Sequence, residues 1–270
     1  MVSGNSAPIG VFDSGIGGLT VVHELERQLP HERIIYFGDT ARVPYGPKSP
    51  ATVQRYSREI SDWLVGEGVK AIVVACNTAT AHALPMLREY LPVPVVGVVE
   101  PGARAAMRAT RSRIVGVIGT AGTIASGAYV RAIHAIEPAA QVIAQPCPLF
   151  VPLVEEGWLD RDATRLIARE YLEPLAAAEV DTIVLGCTHY PLLAPLLGEI
   201  ATPGVRLIDS AAETAAETSR TLREFRLEAP APSAPLVHRF VASDAPEHFL
   251  RVGQRFLGSA IDCVEKVTLG

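Results

Sequence analysis

Short apolar runs rich in β-branched residues alternate with longer amphipathic stretches along most of the chain, and this alternation constrains the fold more than any other feature. The runs predict strands over 8–12, 33–37, 71–75, 94–98, 113–118, 141–145, 182–186, 205–208 and 237–241. Helical periodicity predicts helices over 18–29, 51–66, 78–90, 101–109, 126–136, 161–177, 191–199, 211–226 and 246–256. Strands that are apolar throughout must be covered on both faces. The expectation is therefore an α/β fold with mainly parallel sheets flanked by helices. With 270 residues, 49% of them hydrophobic, the chain has enough material for two such units.

An internal echo supports that division. A strand, a cysteine, an amide or hydroxyl residue and then a helix occur at 72–78 and again at 183–189. Cys76 and Cys187 are separated by a stretch long enough for one compact α/β unit. The expected architecture is two pseudo-symmetric lobes facing each other across a cleft. Residues 1–98 with 209–270 form the first lobe, and 99–208 form the second. A ligand in such sheets sits beyond the carboxyl ends of the strands, so the polar residues after each strand should line the cleft. The segment EAPAPSAP (228–235) reads as a linker, which makes the last strand and helix a late addition to an existing sheet.

Composition narrows the partners. The net charge is −5 with acidic and basic residues interspersed, so no basic patch predicts nucleic-acid binding. No apolar run approaches the roughly 20 residues of a membrane helix. The first basic residue is Arg27, so no charged segment opens a signal peptide. A cytoplasmic location is expected. Cysteines stand at 76, 147, 187 and 263, and a reducing cytosol would leave them as thiols.

Several segments carry groups capable of chemistry. In VFDSGIGG (11–18), Asp13 and Ser14 follow a strand, and the glycines permit a tight turn. The dinucleotide pattern G-x-G-x-x-G fails at Thr20, and no P-loop lysine follows. Asp13 or Ser14 can equally serve as a helix cap. Cys76, Asn77 and Thr78 stand where a helix begins. A packing thiol and capping polar residues are the plain reading. The free N–H groups of the helix would also suit a carboxylate ligand and lower a thiol pKa. Cys187, Thr188 and His189 end another strand. Cys-x-His supplies two metal ligands and nothing nearby completes a set, so no metal site is expected. The pair reads better as a thiol with a proton-managing imidazole. Cys147, between two prolines, and Cys263, near the C-terminus, are expected to be structural. The loop DTARVPYGPKSP (39–50) either folds over a ligand or only connects elements. Glu155 or Glu156 is either a cleft residue or a solvated acid at a helix end.

These segments together resemble the glutamate racemases of the cofactor-independent aspartate/glutamate racemase superfamily. The matching stretches are GVFDSGIGGLTV, GDTARVPYG, VVACNTAT, GVIGTAGTI, FVPLVEEG and LGCTHYPLL, in that order between residues 10 and 193. Thr80 stands where ACNTAS is more familiar, a hydroxyl for a hydroxyl. The resemblance implies interconversion of L- and D-glutamate for peptidoglycan synthesis, without pyridoxal phosphate or metal. By motif position, Cys76 and Cys187 resemble the two acid/base thiols, acting on the D- and L-enantiomer respectively. Asp13 resembles the carboxylate that assists Cys76, and His189 the imidazole that assists Cys187. Ser14, Asn77, Thr78 and Thr188 resemble ligands of the α-carboxylate and amine. Pro44, Tyr45 and Gly46 resemble the site for the side-chain carboxylate, completed by Thr120 and Thr123. Glu155 matches an acid near the amine and the second thiol. The implied partners are L- and D-glutamate, with no nucleic acid and no membrane, and a homodimer is expected.

The chemistry agrees with that implication. Racemisation removes an α-proton from one face and returns one to the other, so two opposed bases suffice. An ordinary thiol has a pKa of about 8.5, which lets one thiolate and one thiol coexist after modest tuning. Hydroxyl and N–H donors around the carboxylate would stabilise the carbanion. The alternatives are aspartate racemase or a related isomerase, and, in a different class, a non-catalytic amino-acid binding protein.

Overall fold

The computed structural model describes residues 4–233, 235–259 and 261–269. Among the described residues ten strands assemble into two sheets in which every pairing is parallel. The first sheet holds β1 (Ile9–Asp13), β2 (Ile34–Gly38), β3 (Ala71–Val74), β4 (Val95–Gly97), β9 (Arg239–Ala242) and β10 (Glu265–Lys266), in the order β10-β9-β2-β1-β3-β4. The second holds β5 (Ile114–Gly119), β6 (Gln141–Pro146), β7 (Thr182–Gly186) and β8 (Arg206–Asp209), in the order β6-β5-β7-β8.

The internal echo is visible in these orders. With β9 and β10 set aside, both sheets run second, first, third, fourth strand. β1 therefore corresponds to β5 and β3 to β7. In each sheet the chain reverses its direction of progress beside the first strand, which opens a crevice at the strands' carboxyl ends. Asp13 ends β1, Thr120 follows β5, Cys76 follows β3 and Cys187 follows β7. Four chemically capable positions thus stand at equivalent strand tips.

Central strands are apolar because helices cover both faces. β1, β2, β3 and β7 are buried along their whole length, whereas the edge strand β6 alternates between exposed and half-buried. One face of the first sheet packs on α2 (Pro50–Gly66) and α3 (Asn77–Tyr90) through residues such as Phe37, Ile60, Leu64 and Leu87. The other face belongs to an apolar cluster that continues into the second sheet, joining Val11, Leu25 and Phe249 to Phe150, Leu185 and Tyr190. Burying one such side chain contributes about 1.5–3 kcal/mol, so this shared cluster resists separation of the two halves.

All nine expected strands form, and the expected helices form with small shifts at their ends, except that the one expected over 191–199 opens as a 3₁₀ turn at Tyr190–Leu193 and is α-helical only over Ala194–Ile200. The helix predicted over 126–136 forms as α6 (Ala128–Ile136) after a left-handed Gly127 at φ 65°, and a short α5 (Ala121–Ala125) that was not expected precedes it. Thr120 starts α5 early by accepting a hydrogen bond from Thr123 N. The short α7 (Phe150–Glu155) was not expected, because Pro152 argues against a helix. Pro152 lies in its first turn, where the N–H groups have no intrahelical partner to lose. β10 has only two exposed residues and leaves no apolar signal. Leu227–His238 connects α10 (Ser210–Glu224) to β9 without helix or strand among its described residues; Ala234 lies outside them. Lys70 anchors the start of this connection, its Nζ donating to Leu227 O at 2.7 Å and pairing with Glu32. Among the described residues no helix is long and apolar enough to cross a membrane.

Candidate active site

Two Gly-dependent approaches bring the strand tips of the two sheets together. The turn after β1 passes against the segment after β7. A Cβ added to Gly17 would lie 2.4 Å from Thr188 Oγ1 and 2.5 Å from His189 Nδ1. The GIGG stretch is therefore a packing surface for the other half of the molecule. At the second approach, Gly122 N donates to Gly46 O at 2.9 Å, and a Cβ on Gly122 would lie 2.7 Å from the same oxygen. Between these approaches lies a narrow cavity whose walls include Ser14, Pro44, Gly46, Cys76, Asn77, Thr78, Thr120, Cys187, Thr188 and His189. Tyr45, Val43 and Val151 complete it. Asp13 and Thr123 stand behind this wall, and Glu155 lines the adjoining wider cavity toward the surface.

Asp13 is fully buried. Its Oδ2 accepts from Gly15 N at 2.9 Å, and its Oδ1 accepts from Thr188 Oγ1 at 3.4 Å across the cleft. Burial raises its pKa, while the charge of His189 and the neighbouring N–H groups oppose the rise. The helix-cap reading of Asp13 and Ser14 is corrected here. Helix α1 (Leu19–Gln28) begins after Gly18 with no side-chain cap, because the glycine turn carries the chain away before the helix starts.

Cys76 is itself the N-cap of α3, and its Sγ accepts from Ala79 N at 3.4 Å. Asn77 and Thr78 are the first helical residues rather than caps. The Cys76 thiol also approaches Ser14 Oγ at 3.7 Å. The expected lowering of its pKa by the helix terminus is overturned. Burial and then the charge of Asp13 push the thiol up to about 12, against the smaller influence of Ala79 N and Ser14. Cys76 thus faces a carboxylate.

Cys187 faces a cation instead. His189 Nδ1 is 4.0 Å from its Sγ and 3.5 Å from Thr188 Oγ1. On the other side of the ring, Nε2 is 2.9 Å from Glu155 Oε1. Burial disfavours charge on the imidazole, but the bonds to Cys187 and Glu155 and their negative charges outweigh it and lift His189 to about 10. Between Glu155 and Glu156 the geometry selects the first, since Glu156 is exposed at the end of α7. Phe256 of α11 (Pro246–Leu257) meets the His189 ring edge to face, with centroids 5.2 Å apart.

Hydroxyl groups bridge the sheets at the other end of the cavity. Thr78 Oγ1 lies 2.8 Å from Thr120 Oγ1 and 3.1 Å from Thr123 Oγ1. The VPYG loop forms the adjoining wall with a cis Val43–Pro44 bond. Tyr45 is buried and its phenol bonds to Asp39 rather than presenting its hydroxyl to a ligand. Asp39 also accepts from Arg42 Nε at 2.7 Å and from Ser243 Oγ at 2.9 Å, so the segment after β9 pins this loop. The late strand is therefore a support for the cavity wall.

Sequence reasoning missed Asp39, Ser243, Gly17 and Tyr129. The first two lie far apart in the chain and meet only through β9, and Gly17 gave no sign of what it faces. Tyr129 looked like one more residue of an amphipathic helix, yet its hydroxyl donates to Asn77 Oδ1 at 2.7 Å. Of the remaining cysteines, Cys147 is buried behind Cys187, its Sγ 3.6 Å from Gln145 O. Cys263 is exposed, so the expectation that it packs is corrected: the segment before β10 runs over the surface. Among the described residues no group of three or more His, Cys, Asp and Glu side chains has metal-binding geometry.

Comparison with known proteins matches this geometry to a family. Residues 9–218 match the family model described as Asp/Glu/Hydantoin racemase. A glutamate racemase of Geobacter metallireducens is 56% identical over 261 residues, covering 97% of this chain and 96% of that one. The crystal structure of a glutamate racemase isoform of Bacillus anthracis superposes with a TM-score of 0.94 at 42% identity, covering 98% of each chain. That of the Francisella tularensis glutamate racemase in complex with D-glutamate gives 0.92 at 39% identity, also over 98% of each chain. The chain belongs to the Asp/Glu/Hydantoin racemase family, with the glutamate racemases.

Proposed function

We propose that this protein interconverts L- and D-glutamate by removing the α-proton from one face with one cysteine and delivering a proton to the other face with its counterpart. The observation that carries this reading is the equivalence of Cys76 and Cys187: each follows the third strand of its sheet, and both line one cavity. In this reading the lobes are residues 1–98 with 209–270, and 99–208, and each supplies one thiol.

The surroundings of the thiols give the cycle a resting state. Burial and the Asp13 charge keep Cys76 as the thiol, and Cys187 lies 4.0 Å from the His189 Nδ1 that manages its proton. The resting protein is then ready to accept the proton of L-glutamate on Cys187 while Cys76 donates to the opposite face. Afterwards Cys76 is the thiolate and Cys187 the thiol, the form that accepts D-glutamate. Asp13 takes part as the neighbour of Cys76, and Glu155 holds the imidazole. Ser14, Asn77, Thr78 and Thr188 hold the α-carboxylate and amine, where hydrogen-bond donors stabilise charge as the carbanion forms. The backbone at Pro44, Tyr45 and Gly46, with Thr120 and Thr123, receives the distal carboxylate.

Supply of D-glutamate to peptidoglycan synthesis, a cytoplasmic location and a homodimer belong to the same reading, and they rest on the family resemblance. The test is a chiral assay of purified protein with L-glutamate, D-glutamate and L-aspartate. Conversion of glutamate in both directions, with kcat/KM at least about 100-fold above that for aspartate, is expected; one methylene is worth about 10–200-fold in a fitted pocket. Comparable values for the two would move the assignment to aspartate racemase. Binding of glutamate without conversion would leave an amino-acid binding protein.

A further inference from the structure

Asn77 and Tyr129 form a contact between the two halves of the molecule that the family motifs do not account for. Asn77 opens α3 immediately after Cys76, and its side chain is 3% exposed. Its Oδ1 accepts from Tyr129 Oη at 2.7 Å. The opposite end, Nδ2, is buried with no hydrogen-bond partner among the described residues, and Asn77 lines the cavity beside both thiols. A buried amide donor without a partner is costly unless a ligand completes it.

Tyr129 is equally constrained. It is 2% exposed on α6, and its ring fills the space left by two glycines. A Cβ on Gly102 would lie 3.2 Å from its Cε1, and a Cβ on Gly186 would lie 3.1 Å from its Cε2. Gly186 directly precedes Cys187. One side chain therefore packs against the neighbour of one thiol and hydrogen-bonds the neighbour of the other.

We propose that Tyr129 is a positioning residue for racemisation: its hydroxyl occupies Asn77 Oδ1 so that Nδ2 is presented to the substrate's α-carboxylate. This inference rests on the glutamate racemase reading above. With Tyr129 Oη donating to Oδ1, the end left free at the cavity is the Nδ2 donor, whereas a flipped amide would turn an oxygen toward the substrate's negative charge. The bond thus leaves a donor at the place where carbanion charge spreads onto the carboxylate.

The test is a double-mutant cycle on the full-length protein, with glutamate kinetics in both directions and a thermal melt for each variant. Tyr129→Phe keeps the ring against Gly186 and removes only the hydroxyl. It is expected to lower kcat/KM by about ten-fold in the wild-type background, with the loss appearing in kcat. In the Asn77→Ala background the same change is expected to cost less than two-fold, because no amide remains to be oriented. Asn77→Asp keeps an acceptor for Tyr129 but replaces the donor with an oxygen, and its kcat/KM should fall at least as far as that of Asn77→Ala. An equal loss from Tyr129→Phe in both backgrounds would make Tyr129 a structural strut and overturn the proposal, as would wild-type kinetics in Tyr129→Phe or an active Asn77→Asp. A wild-type protein that does not racemise glutamate would instead reject the underlying function, so the two failures are distinguishable.

Discussion

Glu155 Oε1 lies 2.9 Å from His189 Nε2, which leaves Nδ1 as the ring nitrogen that faces Cys187. His189 is raised from 6.5 to about 10, so its imidazolium persists through neutral pH and is lost as pH rises through about 10. Removing the Glu155 charge withdraws part of that rise. In a pH–rate profile of kcat/KM for L-glutamate, Glu155→Gln should move the alkaline limb to lower pH by about 1–3 units, the usual effect of a nearby opposite charge. An alkaline limb that stays in place would detach Glu155 from His189 in the working protein.

Gly17 is a point of close approach between the two halves, and the expected consequence is steep. In Gly17→Ala the new methyl must displace Thr188 and His189, since its ideal position is 2.4 Å from one and 2.5 Å from the other. Overpacking of this kind costs about 1–3 kcal/mol. The variant should still fold, melt several degrees lower and lose at least about ten-fold in kcat/KM, because the cost falls on Thr188 and His189 themselves. Wild-type kinetics for Gly17→Ala would show that this approach is not needed for activity.

Ser243 supports the loop on the opposite wall. It donates to Asp39 Oδ1 at 2.9 Å and accepts from Ala41 N at 2.8 Å, while Asp39 holds Arg42 and Tyr45. Ser243→Ala removes both bonds without touching the cavity. Steady-state kinetics should show KM for glutamate rising several-fold with kcat within about two-fold, the pattern of lost binding common to ground and transition states. A fall in kcat at unchanged KM would place the loop in the proton transfers instead.

The strands were legible in the sequence because doubly covered parallel strands are continuous apolar runs, as in Ile72–Val74 and Ile183–Leu185. The cavity residues were legible because polar groups directly after such strands have few places to go except the crevice. What stayed hidden depended on contacts between distant segments. Nothing local distinguishes Tyr129 from its helical neighbours, and Asp39 meets Ser243 across more than 200 residues of chain. The capping roles were misassigned because Gly18 delays α1 and because Cys76 takes the place that Asn77 usually holds. The sign of the shift at Cys76 was also misread. A helix terminus is visible in sequence, but the burial and the Asp13 charge that outweigh it arise only on folding.

The two thiols should be separable from the other cysteines by substitution. Cys76→Ser and Cys187→Ser should each lower kcat by at least about 100-fold, the lower end of what positioned acid–base groups contribute. Cys263→Ser, at an exposed position, and Cys147→Ser, behind the wall, should retain turnover. An active Cys187→Ser variant would remove that residue from the reaction.

The central claim is that Cys76 and Cys187 serve opposite faces of the substrate, and early isotope partitioning in D₂O tests it most directly. Starting from L-glutamate, the product D-glutamate should carry solvent deuterium at the α-carbon from the first turnovers. The remaining L-glutamate should stay largely protiated, because the thiol that takes its proton is not the one that delivers to the other face. Equal early deuteration of L- and D-glutamate, as a single base acting on both faces would give, would contradict it.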